Sequence, residues 1–335
     1  MPRKGSARST LVLTGKQVRG LITMKEAIHV VEGAFRDKGE GKVQMPPKVY
    51  VTLDEFGGDF RVMPTYLLSS HAAGVKIVNV HPNNPNKYGL PTVMATIVLL
   101  EPETGYPMCV MDGTWLTAIR TGAGSGVATK YLAKAGPISV GMIGAGVQAR
   151  TQLMALAQVR PVSSVKVHDL VPESAKRFVK SMTRVVKGKL TSVSSVGEAT
   201  EGVDVIVTAT PAREPILFSK HVRPGVHINA IGADAPGKQE LETEIIRRAK
   251  VIVDDMEQAS HSGEVQTCLR EGILTPGDIY AELGDIVAGK KKGRESDDEI
   301  TVYDSTGLAI QDVSTALAVY RNAIRKHVGT KVSML

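Results

Sequence analysis

Residues 138–150, ISVGMIGAGVQAR, join an apolar, β-like run to a helical pattern through the turn from Gly144 to Ala149. This G-x-G-x-x-A turn is typical of a phosphate cradle, because Gly144 permits a tight turn and Gly146 lets the backbone approach a pyrophosphate. The small Ala149 allows close packing of helix on strand, and the helix N-terminus offers free N–H groups and a positive dipole end. The stretch therefore predicts a dinucleotide-binding turn.

A second β-like run, SVKVHD, ends at Asp169, which lies 25 residues after Gly144. An acid at this distance suits hydrogen bonding to the adenosine ribose hydroxyls of NAD and would repel the 2′-phosphate of NADP. Glycine-rich turns also occur in α/β proteins that bind nothing, and an aspartate that ends a strand is often only a turn or capping residue. Strand, turn, helix, second strand and terminal acid together favour NAD as the cofactor.

The composition of the 335-residue chain is that of a globular protein long enough for two domains, with 42% hydrophobic and 22% charged residues. The net charge of +7 could indicate nucleic-acid binding, but the basic residues are spread among acids, apart from MPRKGSAR at the N-terminus and KKKGR at 290–294. We interpret these two runs as a frayed terminus and a solvated loop. Aromatic residues make up 4% of the chain, which offers no base-stacking platform, so no nucleic-acid partner is expected.

The cysteines and the hydropathy pattern narrow the protein class further. Cys109 and Cys268 lie far apart without C-x-x-C spacing, and no H-x-x-x-H pattern occurs, so the sequence predicts neither disulfides nor a metal site. No apolar stretch reaches the roughly 18 residues of a membrane span, and no cleavage-like site follows the basic N-terminus. We expect a cytoplasmic protein with no membrane partner.

From residue 138 onward, β-like and helical segments alternate, and this alternation predicts an α/β domain with a doubly wound parallel sheet, a Rossmann fold. The predicted strands are 138–143, 164–169, 190–195, 204–210, 226–232, 250–255 and 300–305, with helices from 146, from Pro172, around 196–202 and over 238–249. Ligands of such sheets bind at the carboxyl ends of the strands. The predicted cofactor-binding residues are Thr121, Gly144, Gly146, Val147, Gln148, Asp169, Thr210, Ile231, Gly232, Asp304, Ser305 and Thr306.

The first 120 residues predict an α+β domain of a different kind. One helix over 23–41 is followed by short β-rich segments, and consecutive strands without helices indicate a mostly antiparallel sheet. A helical stretch over 114–134 leads into the nucleotide domain, and a last helix from Ala309 has an apolar face that can pack back on the first domain. We therefore predict a discontinuous substrate domain, 1–120 and 313–335, and a dinucleotide domain, 121–312.

Four cations of the first domain, Lys48, Arg61, Lys76 and Arg120, are candidates for substrate binding. Lys76 interrupts the apolar run GVKIVNV, and a lysine buried there needs an anionic partner. Arginine holds a carboxylate bidentately and lysine holds it as a point charge, so the set fits a small amino or keto acid. The alternative is that strand alternation directs some of these side chains to solvent.

Asp234 follows a predicted strand and a glycine in NAIGADAPGKQEL, where the nicotinamide end of a cofactor is expected. A carboxylate there can exchange a proton with the substrate amino group or with an attacking water. The alternative role is to cap the helix predicted from Lys238. His81 and His261 are other candidate acid–base groups, although lone histidines in such settings are more often structural.

The strings PPKVYVTL, GDFRVMP, GVKIVNVHPNNP, GLPTVMATIVLLEPETGYPMCVMDGTWLTAIRTGA, IGAGVQA, INAIGADAPGKQEL, VDDMEQASHSGE and DSTGLAIQD together resemble the ornithine cyclodeaminase/μ-crystallin family. The resemblance extends along nearly the whole chain and is strongest to the alanine dehydrogenase branch of the family. It implies a homodimer that pairs the substrate-domain sheets, so this domain is also a dimerisation domain. It further implies NAD-dependent oxidative deamination, most simply of L-alanine to pyruvate and ammonia.

The resemblance also assigns site residues. It implies that Lys48, Lys76 and Arg120 bind the substrate carboxylate, that Asp234 transfers protons, and that Lys76 and Asp234 form the catalytic pair. Cyclodeaminases of the family have a glutamate where this chain has Arg61, and an arginine would repel the distal ammonium of ornithine. The exchange favours a dehydrogenase and leaves open a cyclodeaminase, which forms proline from ornithine, and a cyclic imine or ketimine reductase. A non-catalytic binding protein like μ-crystallin, which takes NADPH, is disfavoured by Asp169 and by Asp234.

Overall fold

The computed structural model describes residues 8–334, and the predicted frayed N-terminus lies, up to residue 7, outside them. The described chain divides into two units. The first unit contains 8–30, 42–120 and 309–334, and the second contains 31–41 and 121–308. The second unit differs from the predicted dinucleotide domain in two ways. It includes residues 31–41, and residues 309–312 belong to the first unit instead.

The described elements are numbered along the chain. The strands are β1 Thr10–Leu13, β2 Val43–Gln44, β3 Val49–Leu53, β4 Gly58–Leu67, β5 Ala72–Val80, β6 Val93–Leu100, β7 Pro107–Asp112, β8 Ile138–Ile143, β9 Val162–His168, β10 Lys189–Ser192, β11 Val205–Thr208, β12 His227–Ala230, β13 Lys250–Val253, β14 Ala281–Glu282, β15 Thr301–Asp304 and β16 Thr330–Val332. The helices are α1 Gly15–Leu21, α2 Met24–Gly39, α3 Asn84–Tyr88, α4 Thr114–Leu132, α5 Val147–Val159, α6 Pro172–Met182, α7 Val196–Thr200, α8 Thr243–Arg248, α9 Met256–Ser262, α10 Val265–Arg270, α11 Leu283–Val287 and α12 Ala309–Lys326.

The first unit is built on a mostly antiparallel sheet in the order β16-β1-β7-β6-β5-β4-β2, with β3 added to β4. Its one described parallel pair joins β1 to β7. Helix α12 packs on β4, β5 and β6. The approach is close at Gly74, where an added Cβ would meet Val98 O at 2.5 Å and Val313 Cγ2 at 3.4 Å. The predicted antiparallel sheet and the return of the last helix to this domain are both found.

The second unit is built on a parallel sheet in the order β10-β9-β8-β11-β12-β15-β13-β14. Every strand pair of this sheet among the described residues is parallel. Its central strands are buried on both faces by two apolar clusters, one around Val140, Phe178 and Val207 and one around Ile206, Ile228 and Val302. The predicted Rossmann architecture is confirmed.

The chain order reverses next to β8, since β9 and β10 follow on one side and β11 on the other. Such a switch point leaves a crevice at the carboxyl ends of the strands, and ligands bind there. In this sheet the crevice is bordered by the turn that follows β8 and the loop that follows β11.

One predicted helix is wrong at its beginning. Residues 238–242 are not helical, and α8 begins only at Thr243, with Glu242 at its N-cap. The backbone of Glu240 is used elsewhere, because its carbonyl accepts hydrogen bonds from the N–H groups of Ile216 and Leu217. Tertiary pairing therefore overrides the helical pattern. Short elements that lack a clear sequence period, such as α9, α10 and β16, were not predicted.

Candidate functional site

The glycine turn after β8 has the geometry that its sequence predicts. Gly144 has a φ of 96°, and a Cβ added to it would lie 2.6 Å from Ala209 O. Both the backbone conformation and the lack of space therefore require glycine at this position. Gly146 differs, because an added Cβ would meet nothing within 4 Å. Open space over Gly146 is what a pyrophosphate needs.

The N-terminus of α5 faces this open space. Gly146 is the N-cap of the helix, and Gly146 and Val147 are exposed. Asp169 closes the turn from the other side, because its Oδ2 accepts a hydrogen bond from Ala145 N and its Oδ1 accepts one from Val171 N, both at 2.9 Å. A carboxylate can accept about four hydrogen bonds, so this half-buried side chain retains capacity for ribose hydroxyls. These residues fit a dinucleotide.

The loops after β11 and β12 are tied together by a buried carboxylate, that of Glu240. Its Oε1 accepts hydrogen bonds from Thr210 N and Thr210 Oγ1, both at 2.7 Å, and its Oε2 accepts one from Gly232 N at 2.8 Å. Ile231 and Gly232 are buried in the same place. The predicted cofactor residues Thr210 and Gly232 therefore share one anchor, which the sequence reasoning missed.

Behind Glu240 lies a second buried acid, Glu264. Its carboxylate accepts hydrogen bonds from Glu240 N at 2.9 Å and from Leu241 N at 3.1 Å. Burial, together with the nearby charges of Glu240 and Asp304, raises the pKa of Glu264 well above its usual range. Burial also raises the pKa of Glu240. Because Glu240 accepts three donors, we assign the negative charge to Glu240 and the proton to Glu264.

The predicted cofactor residues at the end of β15 and directly after it are buried. The carboxylate of Asp304 faces the connection between α9 and α10, where its Oδ2 accepts a hydrogen bond from Val265 N at 3.2 Å. Thr306 Oγ1 donates to Asp254 Oδ1 at 2.8 Å. Ser305 is bonded through its backbone, since its N–H donates to Ala230 O at 3.0 Å. Thr121, at the beginning of the second unit within α4, is also buried.

Asp234 lies in the loop 232–240, between β12 and α8. Its half-buried carboxylate forms an ion pair of 2.6 Å with Lys238 Nζ. The alternative role as a cap of a helix from Lys238 is wrong, because no helix begins there. Gln266 holds the far side of the loop, since its side chain accepts a hydrogen bond from Gly237 N and donates to Lys238 O. A carboxylate on a fixed loop at the carboxyl end of a strand is a candidate proton acceptor.

In the first unit, two of the predicted cations converge on one acid. Lys76 Nζ lies 2.6 Å from Asp312 Oδ2, and Arg120 Nε donates to Asp312 Oδ1 at 2.8 Å. Arg120 Nη1 also donates to Gln311 Oε1 at 2.9 Å. Lys76 and Asp312 are fully buried and Arg120 is 5% exposed. When Lys76 is protonated, two cations face one carboxylate, so the trio carries one surplus positive charge.

The ionisation of Lys76 is shifted by this setting. Burial, followed by the charge of Arg120, lowers the pKa of Lys76 to about 7, while Asp312 acts in the opposite direction. Lys48, which is half-buried, is near enough to lower the pKa further. The structure therefore brings Lys48, Lys76 and Arg120 into one electrostatic cluster, as their residue types suggested.

Arg61 lies on the same face of the sheet as Lys76, because it precedes Met63, the cross-strand partner of Lys76, by two residues. Its guanidinium is paired with Asp59, with Nε to Oδ1 at 2.9 Å, and it lies 5.0 Å from the ring centroid of Tyr50. The pairing compensates the charge of Arg61. Its repulsion of a distal ammonium is therefore weaker than the sequence argument assumed.

The two candidate histidines, His81 and His261, make contacts typical of a structural role. The ring of His81 packs on Gly58, where an added Cβ would lie 2.5 Å from it. His261 Nδ1 lies 2.8 Å from Glu257 O within its own helix α9. In residues 8–334, no group of three or more histidines, cysteines or acids could hold a metal ion, and no described helix is long and apolar enough to cross a membrane.

Comparison with known proteins identifies the family to which the chain is similar. The model of the ornithine cyclodeaminase/mu-crystallin family matches residues 8–327. The alanine dehydrogenase of Archaeoglobus fulgidus is 50% identical over 323 residues, which cover 96% of this chain and 98% of that protein.

Two solved structures are similar over their full length. An archaeal alanine dehydrogenase dimer with bound NAD has a TM-score of 0.93 and 49% identity, covering 98% of this chain and 100% of that one. The Δ1-pyrroline-2-carboxylate reductase of Thermococcus litoralis, in complex with NADH and L-proline, has a TM-score of 0.94 and 44% identity, covering 96% of this chain and 100% of that one.

Proposed function

The chain belongs to the ornithine cyclodeaminase/μ-crystallin family, and we propose that it is an NAD-dependent oxidoreductase that deaminates a small L-amino acid, L-alanine, to pyruvate and ammonia. The observation that carries the proposal is the buried trio of Lys76, Arg120 and Asp312. Its surplus positive charge is unfavourable in a protein interior unless an anion joins it. The α-carboxylate of an amino acid is such an anion.

NAD is the proposed cofactor, and its nicotinamide would accept the hydride that the substrate α-carbon loses. The turn at Gly144 and Gly146 and the N-terminus of α5 would hold the pyrophosphate, and Asp169 would hold the adenosine ribose. Thr210 and Gly232 would border the nicotinamide half. Crystallised relatives with NAD and NADH support this choice.

In the proposed reaction, Arg120 and protonated Lys76 orient the substrate by its carboxylate. Fixed orientation of the reacting atoms can itself supply a large part of a rate enhancement. Asp234 takes a proton from the water that attacks the iminium carbon, which gives a carbinolamine, and returns this proton to the nitrogen. The nitrogen then leaves as ammonia while the hydroxyl gives its proton to Asp234, and the keto acid remains. Proton transfer by a positioned carboxylate contributes about 10²–10⁴-fold.

A second candidate is a Δ1-pyrroline-2-carboxylate reductase, which would form L-proline. It is favoured by the relative that binds NADH and L-proline at 44% identity. A cation cluster that holds an α-carboxylate serves either substrate, so Lys76 and Arg120 do not discriminate between them. A cyclodeaminase is less favoured, since Arg61 offers no acid for a distal ammonium, although Asp59 beside it weakens that argument.

We propose further that the protein is a homodimer through the sheet of the first unit. Cross-strand partners share a face of an antiparallel sheet, and on the face opposite Lys76 the row Val49, Val62, Ile77 and Thr96 crosses four strands. Val49 is 58% exposed and Ile77 is 44% exposed. An apolar row exposed on a sheet is typical of a protein interface. The dimeric relative supports a second copy of the chain as the partner.

The decisive experiment compares substrates under net turnover. Purified protein with NAD⁺ and L-alanine should accumulate NADH in proportion to pyruvate. Δ1-Pyrroline-2-carboxylate with NADH should be reduced more slowly, by kcat/KM, than pyruvate with ammonia and NADH. Faster reduction of the cyclic imine would transfer the assignment to the second candidate. Conversion of L-ornithine to proline without net NADH, and no activity on alanine, would identify a cyclodeaminase.

A further inference from the structure

Glu240 occupies an unusual position for an acid. It has no exposed surface, and its two carboxylate oxygens bind two different loops, Thr210 after β11 and Gly232 after β12. The first loop also borders the glycine turn, because a Cβ added to Gly144 would lie 3.1 Å from Thr210 Cγ2. One buried side chain thus sets the spacing of the strand-end loops on this side of the switch point.

The same side chain closes the loop that carries Asp234. This loop starts at Gly232 and ends at Glu240, and the carboxylate of Glu240 returns to Gly232 N at 2.8 Å. No side chain could replace hydrogen at Gly232, where an added Cβ would lie 2.2 Å from Thr210 O and 2.4 Å from Glu240 Cδ. The start of the loop is therefore packed directly on the anchor.

Two buried acids near Glu240, Glu264 and Asp304, explain why the negative charge resides on Glu240. Glu264 binds the backbone N–H of Glu240 itself, and Asp304 reaches the neighbouring residue Val265. Three buried carboxylates cannot all be charged without a large cost. Glu240 accepts the hydrogen bonds that stabilise an anion, whereas Glu264 faces Glu240, Asp304 and the thiol of Cys268. A protonated Glu264 leaves the charge on Glu240.

We propose that Glu240 is a positioning residue for the nicotinamide half of the dinucleotide and for Asp234, and that its carboxylate holds Thr210 and Gly232 in the geometry both require. The proposal rests on the proposed cofactor, and it adds a residue that touches neither substrate nor cofactor. The binding site for the adenosine half, at Gly146 and Asp169, is held by other contacts. Loss of Glu240 should therefore affect NADH and AMP differently.

The test uses the full-length protein and two ligands, NADH and AMP, in equilibrium titrations. Glu240→Gln keeps the shape but offers an NH₂ group where one loop needs an acceptor. We expect the NADH Kd to rise about tenfold or more, as follows from losing a charge-assisted hydrogen bond, while the AMP Kd stays within about twofold. Glu264→Gln is the matched control in the same pocket, because an amide oxygen in the place of Oε2 can still accept from both Glu240 N and Leu241 N. Its NADH Kd should stay within about threefold of wild type.

Urea unfolding checks that each variant is folded. If Glu240→Gln does not fold, Glu240→Asp keeps the charge but is one methylene too short to reach both loops, and the same NADH-specific loss is expected. The proposal is overturned if the folded Glu240 variant binds NADH within about twofold of wild type. It is also overturned if NADH and AMP weaken alike, or if Glu264→Gln weakens NADH as much. Wild-type binding of NADH without turnover of alanine would contradict the proposed substrate and leave this test valid.

Discussion

Lys76 combines two properties that rarely coexist, full burial and a charge that the proposed function requires. Its Nζ is paired with Asp312, yet burial and Arg120 lower the pKa of Lys76 to about 7. A bound carboxylate stabilises the charged form and so raises this pKa. If a carboxylate binds beside Lys76 as proposed, binding should take up a proton near neutral pH, and the affinity should decrease as the pH rises above 7.

We expect the pyruvate Kd, measured without NADH by calorimetry between pH 6 and pH 9, to rise by up to about tenfold per pH unit above pH 7. Lys76→Arg should flatten the profile, because arginine keeps its proton over this range. A flat wild-type profile would show that Lys76 does not titrate with the ligand.

The fold removes one alternative role of Asp234, since no helix begins at Lys238 for it to cap. Asp234→Asn should lower kcat by about 10² or more, because the amide cannot accept the proton from water. The NADH Kd should change little, because Asn still accepts a hydrogen bond from Lys238. Near-native turnover of a folded variant would reduce Asp234 to a structural group of its loop.

Some of these residues could be predicted from sequence and some could not. Lys76 stands out because a charge interrupts an apolar strand, and Arg120 because it precedes the nucleotide domain. Asp312, their common partner, lies in an amphipathic helix where an acid is unremarkable. Glu240 and Glu264 were missed because only the fold brings their partners close, which are backbone N–H groups and the hydroxyl of Thr210. A single charge inside an apolar run is visible in sequence, but its counter-ion is set by tertiary packing.

At the level of elements, the two glycines of the turn between β8 and α5 allow an effect on protein stability to be distinguished from an effect on NADH binding. Gly144→Ala forces a side chain into a φ of 96° and against Ala209 O, which should cost about 2 kcal/mol or more in urea unfolding. Gly146→Ala meets nothing, and its φ of −75° suits any residue, so stability should stay within about 1 kcal/mol of wild type. Both variants should weaken NADH binding about tenfold or more. Unchanged NADH affinity in Gly146→Ala would contradict the proposal that the pyrophosphate binds at this turn.

We expect Asp169, which directly follows β9, to set the preference for NADH over NADPH. Asp169 is fixed by two backbone N–H groups, so a 2′-phosphate would meet a negative charge that cannot turn away. The Kd for NADPH should exceed that for NADH by about tenfold or more, roughly 1.4 kcal/mol. Asp169→Ser should narrow this difference. Equal or tighter NADPH binding by the wild-type protein would contradict the assignment.

The elements that sequence predicted well are those with a clear period or a fixed motif. Strand β8 is found at the predicted residues, and the long helices α2, α4 and α12 begin within one residue of the predicted position. The helix predicted over 238–249 began five residues late, because Glu240 and Leu241 give their N–H groups to Glu264. The spacing of hydrophobic residues in a sequence does not show that a distant side chain accepts these backbone hydrogen bonds.

At the scale of the whole molecule, alternation of strands and helices was enough to predict the doubly wound sheet, because consecutive parallel strands need crossover helices. The order of its last strands was not predictable, since β15 inserts between β12 and β13, a pairing between segments distant in sequence. The crossing of the chain between units at residues 31–41 was also not predicted. A helix such as α2 has one continuous period although it belongs to two units.

The proposed dimer interface lies on the face of the first sheet opposite Lys76. Ile77 lies in the middle of the exposed apolar row between Val62 and Thr96, so a lysine there would be buried without a partner in a dimer. Ile77→Lys should convert the dimer to a monomer in light scattering at micromolar concentration, while urea unfolding shows a folded chain. Leu170→Lys is the matched control, because Leu170 is 93% exposed in the second unit and should leave the dimer intact. If Ile77→Lys remains a dimer, the interface lies on another surface. If the wild-type protein is a monomer, the proposal of a homodimer is wrong.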